Sequence, residues 1–177
     1  MSMHIALLRA VNVGGTGKIK MADMRDMAQA MGFTQVSTVL QSGNLVFEGP
    51  SAKDLEGRLE AELDKRFGLK SVVIVRSGAE WARIVAANPF PDEAKDDPSH
   101  TLAMPLKTAP SVEGESALQA AIKGRETVKL VNRTAYLVYP DGIGESKLTG
   151  AVIERHLGAK GTARNWNTVL KLAALTK

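Results

Sequence analysis

The residues of this sequence best suited to chemistry are cations, carboxamides and glycines near its start. Arg9, Asn12, Gly14, Gly15 and Lys18 fall within ten positions, and Ser42, Gly43 and Asn44 form a second polar group. A guanidinium, two carboxamides, a hydroxyl and glycines whose N–H groups can approach a ligand closely make a set that suits an anion. Each has a plainer use as well. Asn12 and Asn44 can close turns through their own backbone, and Gly14 and Gly15 can supply positive φ. Arg9 is harder to dismiss, because a guanidinium inside an apolar strand needs a carboxylate of the fold or an outside anion. The stretch Gly14-Gly15-Thr16-Gly17-Lys18-Ile19 is not a nucleotide phosphate loop. That loop needs Gly six positions before Lys, where Asn12 stands, and Ser or Thr after it, where Ile19 stands.

A second polar group closes the chain. Thr162-Ala163-Arg164-Asn165-Trp166-Asn167-Thr168 places amide, cation and indole at one helix start, where free N–H groups favour phosphate or carboxylate. The plainer reading has Thr162 or Asn165 capping that helix, Trp166 anchoring it, and Val169, Leu170 and Ala173 completing a buried stripe. Ser146 and Lys147, read as the start of the preceding helix, offer another cation. The candidate ligand-binding set is therefore Arg9, Asn12, Gly14, Gly15, Lys18, Ser42, Asn44, Lys147, Arg164 and Asn167.

Composition narrows the chemistry. With no Cys among 177 residues, a thiol nucleophile, a disulfide framework, an iron–sulfur cluster and a thiolate zinc site are excluded. His4, His100 and His156 are scattered, so no metal is expected, and no cofactor motif is present. Asp92, Glu93, Asp96 and Asp97 read as a solvated acidic loop rather than a cation site. No glycine-flanked serine elbow exists. An enzyme on a small anionic or amide substrate would have to rely on Arg9 and Lys147 for charge and Ser42 for its hydroxyl, without a general base in view. The reading therefore leans against an enzyme, with catalytic residues unknown. From Gly142 onward six basic residues face two acidic ones, so the entire net charge of +4 sits in the last fifth of the chain. That excess can attract phosphate or nucleic acid. A charged leader and an apolar run long enough for a membrane span are both lacking, so the chain is expected to be cytoplasmic.

The elements that must hold these residues follow from hydropathy patterns. His4 to Val11 is an apolar strand interrupted by Arg9. Met21, Met24, Ala28 and Met31 mark a helical face, closed by Gly32. Val36 to Leu40 and Leu45 to Phe47 are strands around a Gln41-Ser42-Gly43-Asn44 turn. Ser51 with Asp54 resembles a helix start, Leu55, Leu59, Leu63 and Phe67 repeat every four residues up to Gly68, and Val72 to Val75 is a buried strand. The order strand, helix, strand, strand, helix, strand is the ferredoxin-like split βαβ. Its connectivity puts the end of the first strand beside the start of the third, and so Arg9 beside Asn44. Both alternate sets of the first strand are apolar, which predicts a sheet covered on both faces.

Ser77 caps a further helix that must stop before Pro89. A connecting loop is expected at 90–99. The second half then reads as strand from Thr101 to Leu106, helix from Ser111 to Ile122, a hairpin around Asn132-Arg133, helix from Lys147 to Leu157 ended by Gly158, and a last helix from Trp166 to Leu175. The expected fold is α+β: a ferredoxin-like βαββαβ half over 1–89, and a related βαββα half with a C-terminal helix over 100–177, packed on the first. An RNA-recognition version of such a fold is not supported, since the first strand has no aromatic residue and the third offers Phe47 alone.

Taken in order and spacing, Ala6 to Gly15, Lys18-Ile19-Lys20-Met21, Leu40 to Asn44, Val75-Arg76-Ser77, Asn88-Pro89-Phe90, Ser146-Lys147-Leu148 and Arg164 to Thr168 resemble the bacterial domain-of-unknown-function family 1697 over essentially the whole chain. Ala10 stands where that family usually has Gly. The resemblance implies a compact α+β bacterial protein and carries no established activity. Function is thus unknown from sequence, with binding of a phosphate-bearing ligand or nucleic acid as the leading reading. A small-substrate enzyme and a structural or interaction module are the alternatives.

Overall fold

The first strand, β1 (Ser2–Leu8), is buried from His4 to Leu8 without a break, as its doubly apolar sequence requires. The structure, a computed structural model, describes residues 1–9, 18–40, 43–51 and 53–177. After β1 come α1 (Met21–Ala30), β2 (Thr34–Val39), β3 (Asn44–Gly49), α2 (Leu55–Phe67), β4 (Val73–Ser77) and α3 (Gly78–Ala86). The chain continues through α4 (Pro91–Asp96), a 3₁₀ turn (Pro98–His100), β5 (Thr101–Pro105), α5 (Gly114–Ala121), β6 (Thr127–Val131), β7 (Thr134–Val138), α6 (Gly150–Leu157), β8 (Arg164–Asn165) and α7 (Trp166–Ala174). Contacts divide it into two units, Met1–Arg83 with Lys171–Lys177, and Ile84–Leu170.

In the first unit the antiparallel sheet runs β2-β3-β1-β4. One face carries Ala6, Leu8, Leu45, Phe47 and Val73 against Met24, Met27 and Ala28 of α1 and Leu55, Leu59 and Leu63 of α2. The opposite face, with Ile5, Leu7, Val46 and Ile74, is fully buried too. Phe33 stacks on Phe47 with centroids 4.3 Å apart. Gly49 leaves room for that stack, since a Cβ there would stand 3.0 Å from the Phe33 ring. Along the β4 edge, Glu60 Oε1 accepts from Val73 N at 3.0 Å and Glu56 Oε1 from Val75 N at 2.9 Å, so α2 occupies donors that an edge strand would otherwise display.

In the second unit the order is β6-β7-β5-β8, the same arrangement one repeat later. Leu102, Met104, Ala135 and Leu137 meet Leu118 of α5 and Ile153 and Leu157 of α6. Here the sequence expectation of a βαββα half is corrected. A sixth element exists as β8, whose Arg164 and Asn165 pair with Ala103 and Leu102. Two residues cannot show a period of two, so α7 alone was visible in the sequence. The 90–99 segment, expected as a loop, contains α4, with Pro91 fitting its first turn. α6 begins at Gly150, not Lys147, because the Thr149 side chain accepts from Val152 N and supplies the cap. Among the described residues the fold is α+β, built on two four-stranded antiparallel sheets.

Candidate functional site

The connectivity argument for the first unit holds in its described part. Leu7 lies opposite Asn44, and Leu8 N donates to Gly43 O at 2.8 Å. Arg9 follows directly, its N–H donating to Val72 O at 2.9 Å and its carbonyl accepting from Ser71 Oγ at 2.7 Å. Arg9 and Asn44 therefore share one sheet end. Asn44, however, is 0% exposed, and its Nδ2 donates to Val39 O at 2.8 Å, closing the β2–β3 turn. Its amide works inward. Lys18 is exposed ahead of α1. Asn12, Gly14, Gly15 and Ser42 lie outside the described residues.

The C-terminal motif is built as a strand-to-helix junction. Asn165 Oδ1 accepts from Thr168 N at 3.0 Å, the bond of an N-cap residue. Trp166, Val169 and Leu172 are buried, while Leu170 is about half exposed, so the inward stripe follows 166, 169 and 172 rather than including 170. Arg164 is 8% exposed; its Nη1 donates to Thr162 Oγ1 at 2.6 Å and to Ala163 O at 3.0 Å. Burial pushes its pKa down to about 10, which still leaves it cationic near neutral pH. Asn167 is exposed one turn on. The first unit repeats this construction. Arg76 of β4 is 5% exposed and donates from Nη1 to Val75 O at 2.9 Å, 4.0 Å from Glu56. Ser77 then forms a reciprocal capping box with Glu80. Each unit thus places a buried arginine just before a helix-capping residue.

Lys147 lines a cavity of the second unit that neither Arg164 nor Asn167 lines. It is exposed on a loop before α6 and lines this cavity, of about 360 Å³, with Lys123, Glu126, Asp141 and Ser146. Ser146 Oγ donates to Glu126 Oε1 at 2.6 Å and accepts from Leu148 N at 3.1 Å. The hydroxyl holds the Glu126 carboxyl below the ordinary carboxylate range, with backbone N–H groups assisting. Beside it, Arg125 bonds Asp141 through both carboxylate oxygens and lowers that group too. A general base working near neutral pH needs a raised carboxylate. Glu126 is shifted the other way, so the Ser146 pair fastens two loops.

Among the described residues, a further cavity gathers three cationic side chains that sequence spacing did not connect. Lys107, Arg155 and Lys160 line a space of about 570 Å³ together with Thr108, Glu154, Gly158 and Ala159. The local fold makes this convergence necessary. Gly158 adopts φ 67° and ends α6, a conformation that favours glycine. The chain turns back so that Lys107 N donates to Lys160 O at 2.8 Å and Thr162 N to Pro105 O at 3.3 Å. Gly161 permits the close approach, since a Cβ there would lie 2.8 Å from Pro105 O. The single carboxylate of the lining, Glu154, accepts from Gly161 N at 3.3 Å. Arg133 adds a fourth guanidinium or ammonium nearby, donating from Nη1 to Lys107 O at 3.3 Å. Arg155 and Lys160 belong to the C-terminal charge excess. Lys107 carried no signal, because only the fold brings the end of β5 against the turn after α6.

Among the described residues, no group of three or more His, Asp or Glu side chains is placed to hold a metal. Asp97 instead accepts from or shares a proton with His100, Oδ2 to Nδ1 at 2.8 Å. No helix among them is long and apolar enough to cross a membrane.

No curated protein matches the sequence. The fold is similar to that of the conserved bacterial protein SP0830 from Streptococcus pneumoniae, at 17% identity over 99% of both chains with a TM-score of 0.78. The family model described as "Protein of unknown function (DUF1697)" matches residues 1–136. The chain belongs to the DUF1697 family.

Proposed function

We propose that this protein binds a phosphate-bearing ligand, with nucleic acid as the macromolecular form, at the basic cavity after α6. The observation that carries the reading is the convergence of Lys107, Arg155 and Lys160 on one cavity whose only carboxylate, Glu154, already accepts a backbone N–H. Three cations facing a common space attract phosphate oxygens, and binding to a nucleic-acid backbone releases counterions in proportion to the phosphates neutralised. No aromatic ring lines the cavity, so bases have nothing to stack on and recognition falls to the backbone. In the same reading, each sheet with its two covering helices is a ferredoxin-like split βαβ unit, and the protein acts in the cytoplasm. Arg9, Lys18, Lys147 and Asn167, candidates on sequence grounds, do not line this cavity and are not part of the proposed phosphate site. Asn44 and Arg164 contribute by shaping their turns.

The test is fluorescence anisotropy of labelled duplex DNA across a salt series, with pyrophosphate as a competitor. Three phosphate contacts predict a slope of log K against log salt of about −3, reduced by about 1 in Lys160→Ala. Saturable pyrophosphate binding in an amide NMR titration without duplex binding would confine the site to small phosphate ligands. Absence of both at low salt would remove the proposal.

A further inference from the structure

Elsewhere in the second unit, two cavities of about 420 and 360 Å³ form one groove, because Gly124 and Glu126 line both. Their walls differ in chemistry. Phe90, Ile122 and Val128 give the larger lobe an apolar wall beside Gln119, Thr127 and Lys129, and Lys123, Ser146 and Lys147 line the smaller. The Phe90 backbone is held by its N–H donating to Asn88 Oδ1 at 2.9 Å. Ile122 is half-buried against the core of its unit, so its position is also set by the fold. In the smaller lobe Asp141 is engaged by Arg125 and Glu126 by Ser146. Lys123 and Lys147 are exposed and take part in no ion pair among the described residues.

A lobe with an apolar wall of Phe90, Ile122 and Val128, joined to a lobe with two exposed ammonium groups, suits a ligand with an apolar body and one anionic head. The head chemistry follows from the charge around it. Glu126, Asp141 and Glu145 line the same lobe, and their negative charge opposes a dianion more strongly than a monoanion. We propose that this groove binds a small amphipathic carboxylate, an aryl or branched-alkyl acid, with its carboxylate between Lys123 and Lys147 and its body against Phe90 and Ile122. The site is separate from the basic cavity, so loss of one leaves the other intact.

The experiment is backbone-amide NMR on the full chain, titrated with 3-phenylpropionate, 3-phenylpropan-1-ol, acetate and inorganic phosphate. Saturable shifts at Gly124, Thr127 and Gly142 are expected with 3-phenylpropionate, at an affinity exceeding those of the other three probes. Lys147→Met, and separately Lys123→Met, should weaken binding by roughly tenfold, the effect of one lost charge-assisted hydrogen bond. Both positions are exposed, so an unchanged unfolding midpoint shows that the variants fold. Equal binding of the alcohol would reduce the groove to an apolar patch, and equal binding of phosphate to a general anion site. Either result overturns the proposal, as does the absence of saturable shifts or an unchanged affinity in both lysine variants.

Discussion

Asn165 and Ser146 show how polar side chains in this protein divide between holding the fold and presenting chemistry. The Asn165 Oδ1 takes the Thr168 N–H at 3.0 Å and starts α7. Asn165→Ala should destabilise the protein by about 1 kcal/mol, measured by urea unfolding, while Asn165→Asp should lose little because Asp also caps. Ser146 gives a pH-dependent counterpart. Its bond holds the folded Glu126 pKa below the ordinary value of 4.5, so the stabilisation is complete above that value and disappears as pH falls through the lower folded pKa. The stability difference between the native chain and Ser146→Ala should therefore be constant from pH 8 to about 5 and shrink below about 4.5, read from unfolding midpoints. A difference that grows on acidification would contradict this role. Sequence spacing made the Asn165 cap legible, since capping acts over three residues. It could not show Ser146 on Glu126, which are twenty residues apart and meet only because two loops fold together.

At the scale of elements, both units use helix side chains to finish the sheet edges. In the first, Glu56 and Glu60 of α2 accept from alternate N–H groups of β4. In the second, Glu115 Oε2 of α5 accepts from Leu130 N at 2.8 Å, and Gln119 Nε2 donates to Val128 O at 3.2 Å along β6. Occupied edges have fewer groups with which to pair another chain. Replacing Glu115 and Gln119 together with alanine should speed amide exchange at Leu130 relative to the strand interior at Leu137, and should raise self-association at high protein concentration. Unchanged exchange at Leu130 would show that the helix contacts do not protect that edge. The strands and helices themselves were mostly legible, because Leu55, Leu59 and Leu63 declare a helix and Val73 to Val75 a strand. β8 was not, since Arg164 and Asn165 read equally well as the approach to a helix. The bond between Arg164 and the Thr162 hydroxyl appears only once the strand is in place.

For the whole molecule, the repeated strand order matters less for function than the uneven distribution of charge. The net +4 arises within the last fifth of the sequence, and the second unit gathers two of those cations, Arg155 and Lys160, with Lys107 from the end of β5. Sequence located the excess over residues 142–177, and its candidate set took Lys147 and Arg164 from it but not Arg155 or Lys160. The fold buries Arg164, which pairs with Ala103 of β5, and leaves Arg155 and Lys160 exposed around the turn after α6. Phosphate binding is proposed at that turn. Its most direct test is an amide NMR map of the native chain titrated with pyrophosphate. Saturable shifts centred on Thr108, Gly158, Ala159 and Lys160, abolished in a Lys107→Ala, Lys160→Ala double variant that remains folded, are the predicted result. Shifts centred instead on Leu8, Arg9 and Lys18, or shifts that persist unchanged in the double variant, would contradict it.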